Sequence, residues 1–137
     1  MTRFAALSLP RWPTDRLRLS RAVLPDSLAR PCVLTLSGAG GERLHALTAH
    51  GEAAGLTRGM GVADARTLVP ALKAHPADPE GDRAALMRLA RWCGRFSPWT
   101  AADPGEPGLD GVLLDITGCA RVFGGEAALM DRLVGEV

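Results

Sequence analysis

A short apolar run, Arg3–Leu9 (RFAALSL), opens the pattern and predicts a buried strand. Pro13-Thr14-Asp15 follows as a helix start, with Thr14 as N-cap and Asp15 in the first turn, where a carboxylate suits the helix dipole. That helix is expected to run to about Val23, ahead of Pro25. Two more apolar runs, Cys32–Ser37 (CVLTLS) and Arg43–Ala49 (RLHALTA), predict strands joined by the Gly-rich hairpin turn GAGGE. Gly55 and Gly59 punctuate what comes next, and a short helix is expected over Val62–Leu68, stopped by Pro70.

The clearest helical period covers Asp78–Phe96. Leu86, Leu89, Ala90, Cys93 and Phe96 fall on one apolar stripe, while Arg88, Arg91 and Arg95 share another face. Such an arginine row is either a solvated face or a phosphate contact. Ser97–Ala102 predicts a strand, DPGEPG a loop and Gly111–Ile116 a central strand. A last helix begins at Glu126, with Met130, Leu133, Val134 and Val137 on its apolar face. The order β-α-β-β-α-α-β-β-α indicates an α/β sandwich with some antiparallel pairing. The chain stops inside that periodic helix, so the expectation is a piece of a longer protein.

Composition narrows the function classes. With 137 residues and 47% hydrophobic content, the chain is about one domain and can bury a core. Its formal net charge of +1 predicts no strong non-specific grip on nucleic acid. The distribution is uneven, with Arg3, Arg11, Arg16, Arg18 and Arg21 near the start and Asp103, Glu106, Asp110, Asp115, Glu126, Asp131 and Glu136 near the end. Cys32, Cys93 and Cys119 are widely spaced without a C-x-x-C, which fits a reduced cytosolic setting better than a zinc site or disulfide framework. His45, His50 and His75 share no ligand spacing. The GAGGE cluster lacks the Gly-Lys-Ser/Thr ending of a phosphate loop. Pro10, Arg11 and Pro13 interrupt the first apolar run, so no signal peptide is read, and no run reaches membrane-spanning length.

Four stretches, in order, carry a resemblance: LSLPRWPTDRLR, GLTRGMGVADARTLVP, RWCGRFSPW and LDGVLLDITGCARVFGGEAAL. Together they resemble the N-terminal half of a Y-family translesion DNA polymerase (UmuC-like domain), and within that family the ImuB-type branch of bacterial mutagenesis accessory proteins. The resemblance implies an α/β (α+β) fold: a ferredoxin-like polymerase palm, truncated, with a small fingers subdomain inserted. Its implied boundaries are palm at 1–15, fingers at 16–76 and an incomplete palm at 77–137. The thumb and little-finger domains, which do most of the DNA gripping in the family, would lie beyond Val137.

Two-metal phosphoryl transfer needs anionic oxygens that neutralise the triphosphate, and magnesium gives up its waters reluctantly to neutral ligands. Active members of the family place one Asp in the first strand and an Asp-Glu pair at the start of the strand that here ends in LLD. The positions matching them are Ser8 in the first strand, then Asp110 and Gly111; a second acidic position would be Pro10. No Asp or Glu occurs between Met1 and Thr14, so realignment does not restore the first ligand. Asp115 does not substitute, since alternation puts it on the face opposite Asp110; its expected role is to bond amides of the Thr117-Gly118 turn. The Tyr and Arg that contact the incoming triphosphate in active relatives match Ala49 and Glu52, or His50 and Ala53 if shifted by one residue. The expectation is therefore no intact catalytic, nucleotide or metal site, and no cofactor; magnesium belongs only to an active-polymerase alternative.

The reading that follows is a catalytically inactive adaptor for error-prone translesion synthesis in DNA-damage-induced (SOS) mutagenesis. The resemblance implies primer-template DNA, the sliding clamp, an error-prone replicative-type polymerase and other mutagenesis-cassette proteins as partners, mostly through regions beyond residue 137. It also implies a bacterial cytoplasmic, nucleoid-associated location with no membrane partner, and Arg88, Arg91 and Arg95 are the candidate DNA contacts in this stretch. Two alternatives stand beside it: an active error-prone polymerase whose metal ligands come from elsewhere, and a small soluble α/β binding domain that shares only the fold.

Overall fold

The computed structural model of the chain describes residues 2–19, 32–104 and 110–136. In chain order the elements are β1 (Phe4–Ser8), α1 (Trp12–Leu19), β2 (Cys32–Gly38), β3 (Gly41–Leu47), α2 (Ala49–Ala53), α3 (Val62–Leu68) and β4 (Lys73–Pro76). They continue as α4 (Pro79–Trp92) with a 3-10 turn at Cys93–Arg95, then β5 (Trp99–Pro104), β6 (Asp110–Asp115), α5 (Ala120–Phe123) and α6 (Glu126–Glu136). The chain divides into two compact units: Met1–Leu9 with Arg83–Val137, and Pro10–Asp82.

The first unit is built on an antiparallel sheet of order β1-β6-β5. Alternation gives this sheet two unlike faces. Ala5, Val112 and Leu114 are buried on one, whereas Phe4, Leu113 and Trp99 are exposed on the other. Buried residues of α4 (Leu86, Ala90), of the 3-10 turn after it (Cys93) and of α6 (Leu129, Leu133) complete the unit's core. Arg3 Nε and Nη2 donate to Glu126 Oε1 and Oε2 at 2.7 and 2.6 Å, a fork that fastens the start of β1 to the first residue of α6.

The second unit holds a sheet of order β3-β2-β4. β2 and β3 form a hairpin closed by the Gly38↔Gly41 pair, and Gly41 has φ +94°, which the tight turn requires. α2 and α3 carry the chain over to β4, which pairs with β2 in parallel. Val33, Leu44, Leu47, Leu56, Val62, Ala65 and Leu72 form the core of this unit. α1 is held by Trp12 Nε1 donating to the Asp82 carbonyl at 2.9 Å and by Arg16 Nε donating to Asp82 Oδ1 at 2.6 Å.

Several expected details differ. α1 begins at Trp12, so Thr14 is not its N-cap; the buried Thr14 hydroxyl donates to the carbonyls of Arg11 and Leu47 instead. The expected end of that helix at Val23 lies outside the described residues, as does most of DPGEPG. The strand expected through Ala49 stops at Leu47, because Thr48 Oγ1 accepts from Gly51 N–H at 3.2 Å and caps α2. On α6 Leu133 is buried as expected and Leu129 is buried with it, whereas Met130 is half-buried, Val134 is 70% exposed and Val137 lies outside the described residues.

Candidate functional site

Antiparallel pairing sets the first group of predicted residues side by side. Ser8 on β1 is directly opposite Gly111 on β6, and Leu9 N–H donates to the Asp110 carbonyl at 2.8 Å just beyond them. Residues opposite each other in such a pair share a face. Ser8 is exposed and Asp110 is half-buried, its position alternating onto the face of Val112 and Leu114. Gly111 is enclosed: a Cβ built there would lie 2.6 Å from the Leu7 carbonyl oxygen. Any side chain at this position, a glutamate included, needs the two backbones to separate.

A third strand adds a residue that the sequence pattern does not pick out. Asp103 on β5 pairs with Gly111, so Ser8, Gly111 and Asp103 form one row across the sheet. Asp103 sits in DPGEPG, which reads as a loop, so no local signal places it in the row. Ser8 offers a neutral hydroxyl and Gly111 nothing, and among the described residues no group of three or more His, Cys, Asp or Glu converges on a point. A donor set of this kind does not fit a pair of magnesium ions, which need several bridging carboxylates.

The other end of β6 has a different character. Asp115 Oδ1 accepts from Thr117 N–H at 3.0 Å, as the turn sequence predicts. Hydrogen bonds from the Thr117 side chain and backbone hold the Asp115 carboxyl below its ordinary range. The Ser97 hydroxyl donates to the Asp115 carbonyl, tying the start of β5 to the same corner.

Ala49 and Glu52 lie in the second unit, on α2, with His50 and Ala53. All four are exposed. Glu52 Oε2 accepts from Arg11 Nη2 at 2.8 Å. That hydrogen bond, with the charge behind it, raises the Arg11 pKa above its ordinary value. The glutamate is therefore not a bare negative charge: its field is answered by Arg11, whose Nε is buried without a hydrogen-bond partner.

The arginine row on α4 is exposed at Arg88, Arg91 and Arg95. Arg95 lies in the 3-10 turn past the end of the α-helix, and its guanidinium stacks 4.1 Å from the centre of the Trp92 ring. Arg91 lines a groove with Arg83 rather than with Arg95.

Comparison with known proteins places this geometry. The model of the impB/mucB/samB family (IMS) matches residues 21–137. The chain is 49% identical over 83 residues to Protein ImuB of Caulobacter vibrioides, strain NA1000 / CB15N, a stretch covering 61% of this chain and 17% of that protein. The same figures hold for Protein ImuB of Caulobacter vibrioides strain ATCC 19089. Its fold is similar to that in an insertion ternary complex of Dbh DNA polymerase, with a TM-score of 0.75 at 14% identity over 99% of this chain and 38% of that one. DinB from Sulfolobus solfataricus is also similar, with a TM-score of 0.67 at 15% identity over 88% of this chain and 33% of that one. The chain spans about a third of the length of these polymerases, and the shared fold is the expected mixed α/β architecture. No described helix is long and apolar enough to cross a membrane.

Proposed function

This chain belongs to the impB/mucB/samB family, a UmuC-like Y-family polymerase domain, and from that premise we propose that it forms part of a catalytically inactive polymerase homologue. In this reading the whole protein is an adaptor in error-prone translesion synthesis during DNA-damage-induced (SOS) mutagenesis. One observation carries the proposal: of the three positions that hold carboxylates in active relatives, Asp110 alone is acidic, and Gly111 leaves no room for a side chain. A neutral hydroxyl and a bare backbone do not draw magnesium out of its hydration shell.

The adaptor would engage primer-template DNA, the sliding clamp, an error-prone replicative-type polymerase and other mutagenesis-cassette proteins. The matched stretch spans 17% of the ImuB relatives, so most of these contacts are assigned to regions outside it. A bacterial cytoplasmic, nucleoid-associated location goes with that role. The test is primer extension with the whole protein in magnesium and in manganese. The proposal expects primer-template binding by anisotropy and no extended product. A second reading, an active error-prone polymerase with relocated ligands, draws on Asp103 in the row beside Gly111. Extension that disappears in Asp103→Asn or Asp110→Asn would establish it in place of the adaptor.

A further inference from the structure

The first unit has a groove of about 340 Å³ between α4 and the outer strand β5. Arg83, Met87, Ala90 and Arg91 line it from the helix, at spacings i, i+4, i+7 and i+8 that share one face. Positions 100–102 line it from β5. Thr100 and Ala102 share the face of Leu114 and Val112, and Ala101 alternates to the other face, so Ala101 meets the groove through its backbone. Among the described residues β6 is the one strand neighbour of β5, so alternate residues of β5 direct N–H and C=O groups outward. The Thr100 hydroxyl donates to the Ala90 carbonyl at 2.8 Å and pins this edge against the helix. Met87 is 47% exposed and forms an apolar step between the two arginines. Neither Arg83 nor Arg91 enters an ion pair among the described residues.

We propose that this groove docks an extended, acidic polypeptide segment as an added strand on β5. The spacing fixes a pattern for the segment. Arg83 and Arg91, eight residues apart on α4, are separated by about 12 Å at the rise of a helix. A strand covers that distance in about four residues, and alternate side chains face the same way. Acidic residues four apart therefore meet the two arginines, with an apolar residue midway over Met87 and Ala90. A strand edge offers alternating backbone donors and acceptors, which a polypeptide matches and a phosphodiester chain does not. This inference goes beyond the adaptor proposal and does not depend on it.

The test uses the full chain and a labelled peptide with the core Glu-Thr-Leu-Thr-Glu, read by anisotropy at low salt. Saturable binding is expected, weakened by about tenfold or more when both acids become lysine. Two N-methylated peptides, one blocking the Thr amides and the other the Glu and Leu amides, should differ, because one set alone faces β5. The Arg83→Glu, Arg91→Glu double variant should lose the acidic peptide and gain the lysine peptide, with Arg83→Gln, Arg91→Gln as the substitute if the reversal impairs folding. Absence of saturable binding, equal binding of acidic and basic peptides, or indifference to both methylation patterns would overturn the proposal. So would an oligo-dT strand that binds this groove more tightly than the peptide and is lost in the same double variant.

Discussion

Gly111 and Glu52, which the proposed reading matches to functional side chains of active relatives, are filled in unlike ways. At Gly111 the space is taken by backbone, since the Leu7 carbonyl occupies the volume a side chain would need. At Glu52 the space is open and only the charge is answered, by Arg11 across an exposed ion pair. A steric replacement resists reversal, because restoring the side chain means moving two strands. An electrostatic one yields to a single substitution. The two units therefore hold their changes with different strength.

The largest effect is expected at Gly111. Gly111→Glu forces β1 from β6 and should destabilise the chain by about 3 kcal/mol, in the range of overpacked sites, by urea denaturation. Ser8→Asp, on the exposed face of the same pair, should stay within about 0.5 kcal/mol. Equal tolerance of the two would remove the steric half of the comparison.

A smaller effect is expected at Glu52. Glu52→Gln leaves Arg11 without its carboxylate partner in an exposed place, so the unfolding midpoint should barely move. Anion binding should change instead. Inorganic pyrophosphate titrated by calorimetry should bind the variant measurably more tightly than the parent, and Arg11→Ala in addition should cancel the gain. A variant indistinguishable from the parent would show that the Arg11–Glu52 pair does not govern anion binding here.

The smallest effect concerns Asp115. Its folded pKa lies below the ordinary value of 3.8, so the ionised form is favoured by folding. The resulting stability is present above the unfolded pKa and is lost as pH falls through the folded one. The difference in Tm between Asp115→Asn and the parent should thus shrink as pH falls below 3.8. A difference that is constant with pH would mean that the turn does not depend on the carboxylate charge.

Local pattern made much of this fold legible. The apolar run at VLLDI becomes the central strand β6, and Val62–Leu68 is a helix with the bounds its punctuation predicts. Asp115 could be placed because its partner, Thr117, is two residues away. What escaped was set by distant partners. β4 is four residues long and ends in Pro76; it exists through parallel pairing with β2, which no local alternation announces. α2 could have been found from Thr48, a capping residue with Glu52 in the turn after it, but the apolar run before it favoured a longer strand. At the candidate site the identities of Ser8, Asp110 and Gly111 were readable, whereas the approach of Leu7 and the position of Asp103 depend on register.

The central claim is that the sheet end around Asp110 no longer supports a divalent metal. Calorimetric titration of the chain with manganese tests it without recourse to activity or partners. No saturable heat is expected below the millimolar range, and the same result is expected for Asp110→Asn. A one- or two-site isotherm at micromolar manganese, abolished by Asp110→Asn or Asp103→Asn, would contradict it.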